Sequence, residues 1–222
     1  MVGLAIHTSS PALGLALTDD AKGDRVQTWP LGRDLTSRLH DCLQTFIAPY
    51  TWQDLSFLAV AQGPGGFTGT RIGVVVARTL AQQLEIPLFG VSSLAAIAQH
   101  HRLHHPDFPD TLDIAVEMRA QRDERFGAIY RPAPTGLTPQ LPDQARPQAD
   151  WDACLAQWSQ PYHHLKVEGD VSATVEGVLS LAQLRWQTGD RPHWSTVLPF
   201  YGQNPVDETA PLSPPHRIQI PK

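Results

Sequence analysis

Only two cysteines, Cys42 and Cys154, occur in the 222 residues. Two thiols so far apart make neither a disulfide framework nor a zinc ribbon. They fit a reducing compartment, and each could equally serve as a small buried apolar residue. A basic excess is also missing, since 17 Lys and Arg stand against 22 Asp and Glu, a net charge of -5. Phosphate neutralisation supplies most of the affinity for nucleic acid, so this chain is not expected to hold RNA unaided. There is no run of about 18 uncharged apolar residues, which excludes a transmembrane helix. The first Lys or Arg is Lys22, and Thr8-Ser9-Ser10-Pro11 interrupts the apolar opening, so no secretory signal is expected. A cytoplasmic protein without a membrane partner is the expectation.

What is present is ordinary globular composition, with hydrophobic residues at 41% and charged ones at 18%. Proline is unevenly spread: five of the twenty lie in residues 1–105 and fifteen in 106–222. This predicts a regular lobe over 1–105, a smaller and less regular lobe over 106–204, and an extended or disordered tail over 205–222. No sequence repeat is apparent. Val2–Ile6 and Leu13–Leu17 read as a hairpin around a hydroxyl-rich tip, and Arg25–Trp29 as a third strand. Leu35, Leu39, Leu43 and Phe46-Ile47 recur at helical spacing over about 34–48, closed by Pro49. The run 57–61 is apolar throughout and predicts a central strand. A helix over about 68–84, a short strand over 88–91 and a helix over about 93–102 follow. Beyond the break at His104–Asp110, strands are expected over 111–118 and 125–131, and helices over 151–159 and 172–187. Strands first, then βα alternation, predict an α/β fold of mixed sheets with helices against them.

The most informative feature is Gly63-Pro64-Gly65-Gly66-Phe67-Thr68-Gly69, between a buried strand and a helix. Such a loop presents backbone N–H groups to an anion. It matches neither standard phosphate code, because Thr68 and Thr70 fall where a P-loop needs Gly before Lys, and Thr68 also takes the last glycine of the dinucleotide pattern. A sharp strand-to-helix turn, an anion site and a partner-facing loop all remain open. Weak nucleotide-site candidates are Thr8, Ser9, Ser10, Gly63, Gly65 and Gly66. In the next helix Gly69, Gly73, Ala77 and Ala81 form a stripe of small residues, which packs either on this chain's own sheet or against a helix of another chain.

Two i, i+4 pairs occur among His100, His101, His104 and His105, a spacing that can bind metal on a helix. There is no Glu between them as in a zincin, and the helix is ending towards Pro106, so a solvated, frayed end is the expectation and no metal is assigned. His7 beside Thr8 and Ser9 reads as a polar hairpin tip rather than a base and nucleophile. Arg119, Arg122, Arg125 and Arg131, interleaved with Asp123 and Glu124, read as an exposed hairpin with internal ion pairs.

The stretch Ala61-Gln62-Gly63-Pro64-Gly65-Gly66-Phe67-Thr68-Gly69-Thr70-Arg71-Ile72-Gly73, then Gly90-Val91-Ser92-Ser93-Leu94, resembles the signature of the bacterial TsaB (YeaZ) family. The opening Leu4-Ala5-Ile6-His7-Thr8-Ser9 is similar to that family's I-D-T-S start, with His7 in place of the Asp. Glu117-Met118-Arg119, Gly127–Tyr130 and Leu198-Pro199-Phe200-Tyr201 resemble its later motifs. The likeness is strong over residues 1–100 and patchy to about 201.

The resemblance implies an actin-like, RNase H-like ATPase fold with a truncated second lobe. It implies a part in making N6-threonylcarbamoyladenosine at position 37 of tRNAs reading codons that begin with A. The role implied is a non-catalytic scaffold that activates the transferase TsaD beside the ATPase TsaE, with tRNA held through the complex, ATP or ADP bound only there, and a homodimer formed when alone. TsaD-like proteins carry an H-x-x-x-H metal pair where this chain has Ser93 and Ile97, so no catalytic residue is assigned. The family's helix-bundle interface, carried onto this chain, implies Leu35, Leu39, Leu43, Thr70, Arg71, Val74 and Arg78. An ATP-using phosphotransferase or ATPase built on the glycine loop is the alternative.

Overall fold

The computed structural model describes residues 1–202. β1 (Val2–His7) and β2 (Leu13–Asp19) form an antiparallel hairpin, and β3 (Arg25–Trp29) adds to its outer edge. β4 (Phe57–Ala61) and β5 (Leu88–Val91) join on the other side, parallel to β1. The sheet order is β3-β2-β1-β4-β5. Helices α1 (Leu35–Ile47) and α2 (Phe67–Leu84) cover one face. The apolar residues Leu35, Leu39, Cys42, Leu43, Phe46 and Ile47 fall on one stripe of α1, which is why it lies down on the sheet.

The second sheet is built from β6 (Asp113–Arg119), β7 (Glu124–Ala133), β8 (Gly136–Pro147) and β9 (Tyr162–Val167), in the order β8-β7-β6-β9. It has the same pattern as the first: two antiparallel neighbours, then a parallel strand that returns beside the first. The chain therefore repeats a topology it does not repeat in sequence, and the second copy lacks the fifth strand. This is the actin-like, RNase H-like architecture with a truncated second lobe. The strands Gly136–Pro147 and Tyr162–Val167 lie outside those expected from the sequence. β8 carries Pro139, Pro142 and Pro147, which an edge strand tolerates because its outer N–H groups need no partner. The helix expected over 151–159 is α4 (Gln148–Ala156).

Helices α3 (Ser93–His104) and α5 (Val175–Gln187) lie between the two sheets and cross over. α3, from the first half, packs on β6, β7 and β8, while α5, from the second half, packs on β1, β2, β4 and β5. The crossing is close at Gly177, where an added Cβ would stand 2.1 Å from the Ala96 carbonyl oxygen. One apolar core runs through both lobes, from Ala5, Phe57 and Phe89 through Leu94, Val178 and Leu179 to Ile114 and Phe126. Cys42 is buried and Cys154 half-buried, and both are free thiols. Among the described residues, no helix is long and apolar enough to cross a membrane. The tail expected over 205–222 lies outside the described residues.

Candidate functional site

A cleft of about 1150 Å³ opens where the ends of β1, β4, β6 and β9 face each other across the two lobes. Thr8, Ser9 and Ser10 form one wall with Gly65, Gly66, Phe67, Thr68 and Gly69. Met118, Arg119, Val167 and Glu168 form the opposite wall. Of the six candidate nucleotide-site residues, five line the cleft. Gly63 does not: it is buried with φ +103°, and an added Cβ would stand 2.2 Å from the Phe200 carbonyl oxygen. Only glycine accepts that conformation and that approach.

The glycine loop is held by contacts within the chain. Gly66 N–H donates to the Ser9 carbonyl at 2.7 Å, Ser93 N–H to the Gly63 carbonyl at 2.7 Å, and Phe200 N–H to the Gln62 carbonyl at 2.7 Å. Phe67 stacks on Tyr201, with ring centroids 4.7 Å apart. The Thr8 hydroxyl donates to the Gly69 carbonyl at 2.8 Å. The polar hairpin tip the sequence suggests is turned inward, since His7, Thr8 and Ser9 are all buried. Ser10 reaches across to Asp170 at 2.6 Å.

His7 stands where the family pattern has Asp, and both its ring nitrogens lack a hydrogen-bond partner. Burial lowers its pKa to about 4 against the opposing pull of Asp170. At neutral pH it is an uncharged filler of the hairpin end, with no carboxylate to position a hydrated cation. Ser93 and Ile97, at the positions of the TsaD-like metal pair, are buried in α3. In the second lobe, Glu117 is buried and accepts from Trp151 Nε1 at 2.5 Å and His164 Nε2 at 2.9 Å, on the face away from the cleft that α4 covers.

The residues carried over as a partner interface do not share an exposed face. Leu35, Leu39, Leu43, Thr70 and Val74 are buried in this chain's own core, because they form the stripes that seat α1 and α2 on the sheet. Arg71 is exposed with its guanidinium over Phe67, and Arg78 is half-buried over Trp194. The small-residue stripe also faces inward: a Cβ on Gly73 would stand 2.1 Å from the Thr8 hydroxyl oxygen, and one on Gly69 2.1 Å from the Thr8 carbonyl oxygen. The exposed face of α2 is instead Phe67, Arg71, Val75 and Thr79, one every four residues, with Val75 59% and Phe67 40% accessible.

The basic run at the β6–β7 hairpin is divided. Arg131 makes a two-pronged ion pair with buried Asp113, at 2.8 and 3.0 Å. Arg125 bonds Gln148, and Arg119 lines the cleft. The histidine cluster is not a frayed end: α3 runs through His104, and both His100 and His104 meet Glu176 on α5, a residue 72 positions further on that no local spacing could have indicated.

Residues 33–132 match the family model described as TsaD, tRNA N6-adenosine threonylcarbamoyltransferase. The tRNA threonylcarbamoyladenosine biosynthesis protein TsaB of Bacillus subtilis is 36% identical over 172 residues, which is 72% of this chain and 69% of that protein. The TsaB of Escherichia coli is 36% identical over 130 residues, 57% of this chain and 52% of that one. Among solved structures, YeaZ from Pseudomonas aeruginosa superposes with a TM-score of 0.73 at 22% identity, over 90% of this chain and 99% of that one.

Proposed function

The chain belongs to the TsaB family, with a role in tRNA threonylcarbamoyladenosine biosynthesis, and from that premise we propose that it is a non-catalytic scaffold activating a TsaD-type threonylcarbamoyl transferase. The product is N6-threonylcarbamoyladenosine at position 37 of tRNAs reading codons that begin with A. A TsaE-type ATPase completes the assembly, tRNA is held through the complex, and the free protein pairs with itself.

The observation that carries this reading is the chemistry of the cleft. Among the described residues lining it, Glu168 is the one carboxylate, and the imidazole nearest the hairpin end is the buried, neutral His7. Phosphoryl transfer depends on metal ions and charged groups arranged around the phosphates. Besides the guanidinium groups of Arg33 and Arg119, the walls offer mainly hydroxyls, glycines and apolar surface, and among the described lining residues no second carboxylate joins Glu168 to hold such a metal ion. The net charge of -5 further favours a partner as the holder of tRNA. The docking surface is the outer face of α2, where Phe67 and Val75 leave apolar area in water.

The purified chain is expected to transfer no threonylcarbamoyl group alone and to restore transfer when added to TsaD and TsaE. Transfer without TsaD overturns the reading. A phosphotransferase or ATPase draws support from the size of the cleft and its hydroxyl-lined wall. Micromolar binding of ATP with magnesium, accompanied by turnover, would favour it.

A further inference from the structure

His100 and His104 lie one turn apart near the end of α3, and Glu176 enters from the first turn of α5. We propose that these three residues form a binding site for a transition-metal ion of the Zn²⁺ class, which ties α3 to α5 where the two lobes interleave.

Geometry and donor type both point that way. His100 Nδ1 lies 3.2 Å from Glu176 Oε2, and His104 Nε2 lies 2.8 Å from the same oxygen. One donor atom from each residue falls within 4.8 Å of the others. Zinc bonded at about 2.0–2.1 Å in a tetrahedron sets its donors about 3.3 Å apart. The His100–Glu176 spacing is already near that value, the shorter His104–Glu176 hydrogen bond opens on binding, and rotation of the half-exposed His104 side chain closes the third spacing. Two imidazoles and a carboxylate suit a borderline cation and not magnesium or calcium, which take oxygen.

His100 Nδ1 is buried and makes no hydrogen bond despite its closeness to Glu176. A buried nitrogen left without a hydrogen bond is costly, and an ion bonded to both it and the carboxylate supplies the missing partner. On binding, the proton of His104 sits on Nδ1, leaving Nε2 to the metal. The carboxylate exchanges its hydrogen bond for a metal bond, and no further reactant is needed. Three protein donors leave one position of the tetrahedron for water.

The adjacent imidazoles do not make a rival cage. His101 stacks on His105 and on His163 with ring centroids 4.1 and 4.8 Å apart, at interplanar angles of 25° and 20°. Lone pairs lie in the ring planes, so near-parallel stacked rings do not aim them at one point.

The test is competition for Zn²⁺ between the metal-stripped full chain and a chromophoric chelator. One equivalent per chain is expected. Glu176→Gln and His104→Ala should each weaken binding by at least about tenfold, and His101→Ala with His105→Ala by less than about threefold. Zinc should raise the melting temperature of the unaltered chain and not that of Glu176→Gln, because it binds only the folded form. Failure to compete for the ion overturns the proposal. So does binding that survives Glu176→Gln and is lost in the His101/His105 double variant.

Discussion

Two residues show how a side chain, or the lack of one, is fixed by its surroundings. Gly73 lies inside a helix, where glycine costs about 1 kcal/mol relative to alanine. It is tolerated because the Thr8 hydroxyl occupies the space of a Cβ, at 2.1 Å, while donating to the Gly69 carbonyl. Gly73→Ala should gain the helix propensity and lose more to overpacking, for a net destabilisation of about 1–3 kcal/mol in denaturant unfolding. Gly66→Ala is the contrast: its Cβ would meet only the Ser9 carbonyl oxygen at 3.5 Å, and the midpoint should hold. His7 gives a dependence on pH. Its folded pKa of about 4 lies below the ordinary value of 6.5 because burial disfavours the cation, with Asp170 the opposing charge. The unfolded chain therefore binds the proton more tightly. Stability is full above about pH 6.5 and falls as the pH drops towards 4, by roughly 3 kcal/mol from this residue. His101, also lowered to about 4, mainly by burial, adds a loss in the same window. His7→Leu should flatten the acid side of the stability curve measured by urea unfolding between pH 7 and 4. An unchanged slope would mean that the protonated ring finds a partner.

At the scale of the element, α2 separates a buried stripe from an exposed one. Val74 is fully buried and Val75 is 59% accessible, though they are neighbours in the chain. Val74→Glu would place a charge in the core and lower stability whatever the partner does. Val75→Glu should leave the melting temperature within a few degrees and reduce affinity for TsaD at least about tenfold if this face docks there, since a desolvated carboxylate without a partner costs more than 1.4 kcal/mol. Unchanged affinity in a titration would place the interface elsewhere. The boundaries of α2, β4 and β5 were legible because Gly63–Gly66 and Pro87 punctuate strongly apolar runs. Which side of the helix faces inward was not legible. A stripe of small residues fits a close approach by any backbone, and only the folded position of Thr8 decides that it is this chain's own. β8 was missed because its prolines read as loop, and its place at the sheet edge, which permits them, is a tertiary fact. Five of the six cleft candidates were named from the loop and the hairpin tip, whose small and hydroxyl residues lie close in sequence to strand ends. Glu176 was not, since 72 residues separate it from His104 and α5 reads as an ordinary helix.

For the whole molecule, the crossing of α3 and α5 decides whether the lobes behave as one body. α5 supplies Val175, Val178, Leu179, Leu181 and Ala182 to a core that includes Ala5, Phe57 and Phe89 of the first sheet. Each large apolar side chain so buried contributes about 1.5–3 kcal/mol, and their sum is comparable to the roughly 5–15 kcal/mol by which a domain is stable at all. The first sheet therefore depends on a helix that arrives only after the second sheet is complete. Residues 1–105 expressed alone should give no cooperative thermal transition. Gly177→Ala tests the same dependence in the intact chain. Its Cβ would press on the Ala96 carbonyl oxygen, which is backbone and gives way only if the helices part. A loss of about 2 kcal/mol or more is expected. It should appear equally in the amide hydrogen exchange of β4 in the first sheet and β6 in the second, because both unfold through separation of the same helix pair. If β4 lost protection while β6 kept it, the lobes would be separately stable, and the dependence of the first sheet on the α3–α5 crossing would be ruled out.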